Sequence, residues 1–157
     1  MDVFQFWGLL FVALLLAPNL IFARTHPDGF ANCHVSKTLE TLEQIGRFGC
    51  FSLMIFQIPV LCPGYWFPGA QTVYLAAGGA LLLLYELGWI VFWRESSLRK
   101  ALVLSILPSL LFLESGIVTG NAPLTAAALL FAPCHILISC RNAVAQAGKT
   151  TDRQEKP

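Results

Sequence analysis

Long apolar runs separated by short polar connections dominate this chain, and nowhere does the pattern settle into the two-residue alternation of a half-buried strand. Five runs read as membrane spans, at residues 3–23, 39–61, 72–93, 101–119 and 124–140. Runs of about twenty apolar residues match the thickness of a bilayer core. The first run has no Lys or Arg before it, and Ile21-Phe22-Ala23 lacks the small residue two positions before a cleavage site. It therefore reads as an uncleaved span and not as a signal peptide. The pattern predicts an all-α integral membrane bundle of about five transmembrane helices over residues 1–142. The polar segment 143–157 has no apolar stripe and is expected to be a disordered cytoplasmic tail.

Composition agrees. Of the 157 residues, 56% are hydrophobic and 12% charged, with a mean hydropathy of +0.66. Soluble domains carry about a quarter charged residues, so this chain has too few to coat a water-facing surface. A net charge of +1 gives no reason to expect nucleic acid as a partner. The expected partner is the lipid bilayer itself.

The basic residues give the orientation. Arg24 and Lys37 lie between the first and second runs, and Arg94, Arg99 and Lys100 between the third and fourth. Arg141, Lys149, Arg153 and Lys156 follow the fifth, while connections 62–71 and 120–123 contain no Lys or Arg. Positive connections stay in the cytoplasm. That puts the N-terminus outside and the C-terminus in the cytoplasm. The uncharged, aromatic connection 62–69 belongs to the headgroup belt on the outer side, with a binding lid as the alternative.

Candidate chemistry lies with the ionisable residues inside the runs. Such residues cost about 2.5–3.5 kcal/mol each on insertion scales and usually face the bundle interior. In the second run, Glu40, Glu43, Gln44 and Arg47 share about a third of the helix circumference, and Gly46 and Gly49 offer another face to a neighbour. Glu43 and Arg47, four apart, can pair along the helix. Two readings stay open for them: an interior polar site, or the first exposed turns of a helix entering from the cytoplasm, with Arg47 snorkelling. Glu40 is assigned to the second. Tyr85 and Glu86 in the third run and His135 in the fifth, with Ser139 one turn on, complete the set. By residue count, Arg47, Glu86 and His135 lie at similar depth, and Asn19 slightly nearer the cytoplasm. The expected site is a cytoplasm-facing polar pocket closed by Arg47, Glu86 and His135, with Glu43 and Tyr85 beside it. Asn19, Gln44, Glu114 and Ser139 are secondary. Glu114 falls in the outer half, away from that layer. It is expected to be protonated or hydrogen-bonded to Ser115 or Thr119.

No HExxH, P-loop, GxSxG or GxGxxG sequence occurs. Five cysteines at scattered positions form neither a disulfide framework nor a zinc spacing. His26, Asp28, Cys33 and His34 resemble metal ligands only by type. No metal site is expected, and no residue pattern names a cofactor.

Three stretches carry a resemblance: Leu42-Glu-Gln-Ile-Gly-Arg-Phe-Gly-Cys50 with Leu53-Met-Ile-Phe56, then Ile106-Leu-Pro-Ser-Leu-Leu-Phe-Leu-Glu-Ser-Gly-Ile117, then His135-Ile-Leu-Ile-Ser139. Together they resemble a group of small bacterial polytopic membrane proteins without an assigned activity. The resemblance implies a bacterial cytoplasmic (inner) membrane and no catalytic residue.

Three functions fit these residues. A transport or binding component would admit an ion, proton or small polar ligand from the cytoplasm, with prolines at 18, 59, 108 and 133 permitting broken helices. Five spans show no transporter-type internal repeat, so a homo-oligomer or larger membrane complex would be needed to form a pathway. An intramembrane enzyme acting on a lipid or isoprenoid would use Glu86 or His135 as acid or base and Arg47 for an anionic headgroup. A structural or accessory subunit would use the polar layer only to fix helix register.

Overall fold

Capping chemistry sets the ends of the helices. A computed structural model describes residues 3–25, 36–95 and 97–154. They form α1 (Phe6–Thr25), α2 (Lys37–Ile55), α3 (Ala70–Val91), α4 (Leu98–Val118) and α5 (Ala122–Gln154). Ser36 and Ser97 cap α2 and α4 by accepting from the backbone N–H of Leu39 and Lys100. A Schellman turn closes α4. Gly120 takes φ +62°, its N–H reaches the Ile117 carbonyl, and the Asn121 N–H reaches the Gly116 carbonyl at 2.8 Å. Asn121 then opens α5, its Oδ1 accepting from the Leu124 N–H at 3.0 Å.

The helices close into a ring in the order α1, α2, α5, α4, α3 and back to α1, with a lesser α2–α4 contact across it. Consecutive helices α2 and α3 are thus not neighbours in the ring, and segment 56–69 crosses one end of the bundle to join them. Trp66 Nε1 on this segment donates to the Ile117 carbonyl at 2.8 Å. Each seam of the ring contains a glycine at which a Cβ would crowd the neighbouring helix. Gly8 meets Met54, Gly46 meets Phe131, Gly116 meets Thr125, Gly88 meets Leu104, and Gly78 meets Phe11. Close approach at small residues is how helices associate where lipid removes any hydrophobic drive between them.

Four helices, α1, α3, α4 and the Ala122–Gln146 part of α5, are long and apolar enough to cross a membrane. Between their ends the outward faces are mainly apolar, including Leu20, Leu83, Ile90, Leu110 and Leu129, with Arg24, Gln71, Thr72, Arg99 and Arg141 exposed toward the ends. A monomeric soluble protein does not expose so much contiguous apolar surface. This is the pattern of a multi-pass membrane protein. α2 is too polar to join the four by hydropathy, yet it turns Glu43 inward and apolar residues outward. Glu43, Gly46, Cys50 and Met54 are buried, while Ile45 and Phe48 are 58% and 62% exposed.

Two boundaries differ from the sequence expectation. The second run forms a helix only from Lys37 to Ile55 and does not reach residue 61. Pro59 has no N–H to continue a helix and disfavours helical geometry at the residue before it. The chain turns extended at Phe56 instead. The Gln57 N–H bonds the Val3 carbonyl and the Gln5 N–H the Ile55 carbonyl, both at 2.8 Å, around an isolated bridge between Phe4 and Phe56. Pro59 is thus outside any helix, whereas Pro18, Pro108 and Pro133 lie within α1, α4 and α5. The second boundary lies in the polar segment 143–157, expected to be a disordered tail. α5 continues through it to Gln154, favoured by alanines at 143, 145 and 147. His26, Asp28, Cys33 and His34 lie outside the described residues.

Candidate functional site

The bundle has a basic end, where Arg24, Lys37, Arg94, Arg99 and Lys100 cluster, and an uncharged end formed by segment 56–69 and the α4–α5 turn. The densest polar group sits between α2 and α5, in the half toward the basic end. Its centre is Glu43, only 2% exposed. Arg47 Nε and Nη2 donate to Glu43 Oε1 at 3.0 and 2.5 Å, and His135 Nδ1 lies 3.0 Å from the same oxygen. An ionised carboxylate can only accept, so against it Nδ1 of His135 is the donor. The ring of His135 stacks on Phe131 at 4.6 Å and 19°. Phe131 is in turn the residue whose backbone lies against Gly46. The glycine on α2 therefore lets α5 approach, and one turn further along the approach delivers His135 to Glu43.

Across the ring, α1 and α3 supply a second polar contact. Asn19 Nδ2 donates to the Tyr85 hydroxyl at 2.6 Å and also to the Leu15 carbonyl at 2.8 Å. Tyr85 is buried and close enough to Arg47 to feel its charge. Below it toward the basic end, Lys100 Nζ sits 4.3 Å from the Phe22 ring and 5.2 Å from that of Trp89.

Of the expected pocket residues, Glu43, Arg47 and His135 are hydrogen-bonded together, and Tyr85 faces them from the other side. Glu86 is not in their hydrogen-bond group. It lies about 100° around α3 from Tyr85, on a helix whose neighbours are α1 and α4 and not α2 or α5. Its Oε1 is buried with no hydrogen-bond partner. Gln44 points outward and is exposed, and Ser139 is half-buried one turn beyond His135. Glu114 lies toward the uncharged end, apart from all of these. Near it, burial and then the Glu114 carboxyl raise the Tyr65 phenol above its ordinary pKa.

Sequence reasoning overlooked Asn121. It is 0% exposed, and its Nδ2 donates to the Leu53 carbonyl at the end of α2 at 3.0 Å while its Oδ1 caps α5. The signal was present as Gly120-Asn-Ala-Pro123, a helix stop followed by a capping residue and an early proline.

Chemically, the Glu43 group offers an oriented imidazole and a guanidinium. Arg47 is 36% exposed in its side chain. Among the described residues its Nη1 and the Nε2 of His135 have no further protein partner. The outer edge of Arg47 can hold an anionic group. Among the described residues no group of three or more His, Cys, Asp and Glu side chains is placed to hold a metal ion. No protein-family model matches the chain, and neither does any curated protein or solved structure.

Proposed function

We propose that the chain is a transport or binding component of a bacterial cytoplasmic membrane, with its N-terminus outside and its C-terminus in the cytoplasm. Its ligand is a small polar species, an anionic group or a proton, reached from the cytoplasmic side and held at Glu43, Arg47 and His135. One observation carries this reading: a single buried oxygen, Glu43 Oε1, takes the contacts of both Arg47 and His135. Both partners are thereby held in place with donor or acceptor capacity to spare. Interior ionisable residues of this kind mark ligand and proton paths in membrane proteins. The basic residues at the same end support the orientation.

The test is native mass spectrometry of the protein in mild detergent, with identification of co-purifying lipids and small molecules. Wild type should carry an anionic species whose occupancy falls about tenfold, ~1.4 kcal/mol, in Arg47→Gln and in His135→Gln. A wild type without any such species, or variants that keep it undiminished, would sink the anionic ligand and leave only the proton.

A second reading rests on the Glu43–His135 contact alone. A carboxylate orienting an imidazole is also the arrangement of a general base, which suits an intramembrane enzyme acting on a lipid headgroup. Conversion of a bound lipid by wild type, abolished in His135→Gln but not in Arg47→Gln, would favour it.

A further inference from the structure

The half of the bundle opposite the Glu43 group contains three buried oxygens that find no hydrogen-bond partner: Glu114 Oε1, Glu114 Oε2 and Ser115 Oγ. Ser115 is 1% exposed. It lies beside both the Glu114 carboxyl and the Tyr74 phenol, without reaching hydrogen-bond geometry to either. The same serine, though not Glu114, lines a small cavity of about 10 Å³ with Gln5, Gln57, Tyr74 and Thr119 and the apolar Leu53, Met54 and Leu124. That is space for one water-sized occupant. The polar lining is otherwise spent: Gln5 Nε2 donates to Gln57 Oε1 at 3.2 Å, and Thr119 Oγ1 donates to the Ser115 carbonyl at 2.6 Å.

We propose that Glu114 and Ser115 form a site for a small exchangeable monovalent cation, Na⁺ or a proton, distinct from the Glu43 group. A carboxylate without donors in an apolar interior must acquire a positive partner. Among the described residues none is offered. The titratable groups facing Glu114 are the phenols of Tyr74 on α3 and Tyr65 on segment 56–69. Across α3 the carboxyl lies over Gly78, 3.4 Å from where its Cβ would be, and α1 contributes the Phe11 ring at the same spot. Arg47 and His135, on α2 and α5, are committed to Glu43 in the other half. Glu86 is eight residues along α3 from Gly78, about 12 Å away. The donor set is oxygen only and carries one negative charge. That suits a hard monovalent ion and is too poor for a divalent one, which takes six or more oxygens. Glu114 is four residues before the end of α4, so the cation enters from the uncharged end.

A hydrophobic carbodiimide, which adds to protonated carboxyls in apolar surroundings, tests this on the purified protein in detergent and in liposomes. Peptide mass spectrometry should place an adduct on Glu114 in wild type and in Glu86→Gln, and none there in Glu114→Gln. Its rate should fall with rising pH, and Na⁺ should slow it further if the ion competes with the proton. Ser115→Ala should weaken that Na⁺ protection. Slowing by pH alone assigns the site to the proton; slowing by both assigns it to either ion. An unlabelled wild-type Glu114, or a rate indifferent to both pH and Na⁺, overturns the proposal. The adduct should persist unchanged in Arg47→Gln, so failure of the Glu43 reading leaves this one standing.

Discussion

Gly46 offers the sharpest test of how packing and site depend on each other. A Cβ added there would sit 2.8 Å from Phe131 Cα and 2.9 Å from its N and Cβ, where ordinary contact begins at 3.4 Å. The obstacle is backbone, so α2 and α5 would have to part by about 0.6 Å, the difference between 3.4 and 2.8. Overpacking of this kind costs about 1–3 kcal/mol. Alanine is intrinsically the better helix former, by about 0.8–1.0 kcal/mol. The clash should offset or outweigh that gain, leaving Gly46→Ala less stable than wild type by roughly 0–2 kcal/mol and less stable than a glycine replaced without a clash by about 1–3 kcal/mol. Gly79 supplies the control, since nothing lies within 4 Å of its added Cβ. Gly79→Ala should keep the propensity gain and be neutral or stabilised by up to about 1 kcal/mol. The separation also reaches the site, because the 3.0 Å His135–Glu43 contact would stretch to about 3.6 Å, past hydrogen-bond range. Reversible unfolding in mixed micelles measures the two stabilities, and the imidazole NMR shift of His135 reports the contact. If Gly46→Ala proves as stable as Gly79→Ala, the close α2–α5 seam does not exist and the reasoning from it fails.

Other expectations are quickly stated. Arg47→Ala leaves the buried Glu43 carboxyl with His135 as its only partner and should cost about 3–5 kcal/mol, whereas Glu43→Ala frees a half-exposed Arg47 that can turn to water and should cost less, about 1–2 kcal/mol; equal or reversed costs in unfolding measurements would contradict the asymmetry. Asn121→Ala loses a buried bond to Leu53 and a helix cap, together about 2–3 kcal/mol, and a melting temperature equal to wild type would refute that. Reporter fusions should show activity requiring an external location in segment 56–69 and a cytoplasmic one after α5; the reverse pattern would overturn the orientation.

The apolar runs made the helices legible because length and hydropathy are local properties. The polar stripe of α2 was also legible, since Glu43 and Arg47 are one turn apart on one helix. What periodicity could not supply was azimuth between helices. Residue counting put Arg47, Glu86 and His135 at one height, but height does not say which way a side chain points around the bundle. The contact between Glu43 and His135 joins residues 92 apart, and no local pattern encodes it. Gln44 shares the stripe and still faces outward, because the buried line runs through Glu43, Gly46 and Cys50. The early end of α2 was half visible in Pro59; its pairing with residues 3–5 was not.

The ring order has a consequence for biosynthesis. α5 is made after the other four helices, yet it sits between α2 and α4 and brings the imidazole that Glu43 needs. Until it emerges, the second helix holds a carboxylate with only its own arginine for company, a state better tolerated at the interface than across the lipid. α5 therefore acts as a keystone: its arrival lets the most polar helix settle, and a nascent chain halted before residue 122 would leave that helix waiting at the surface.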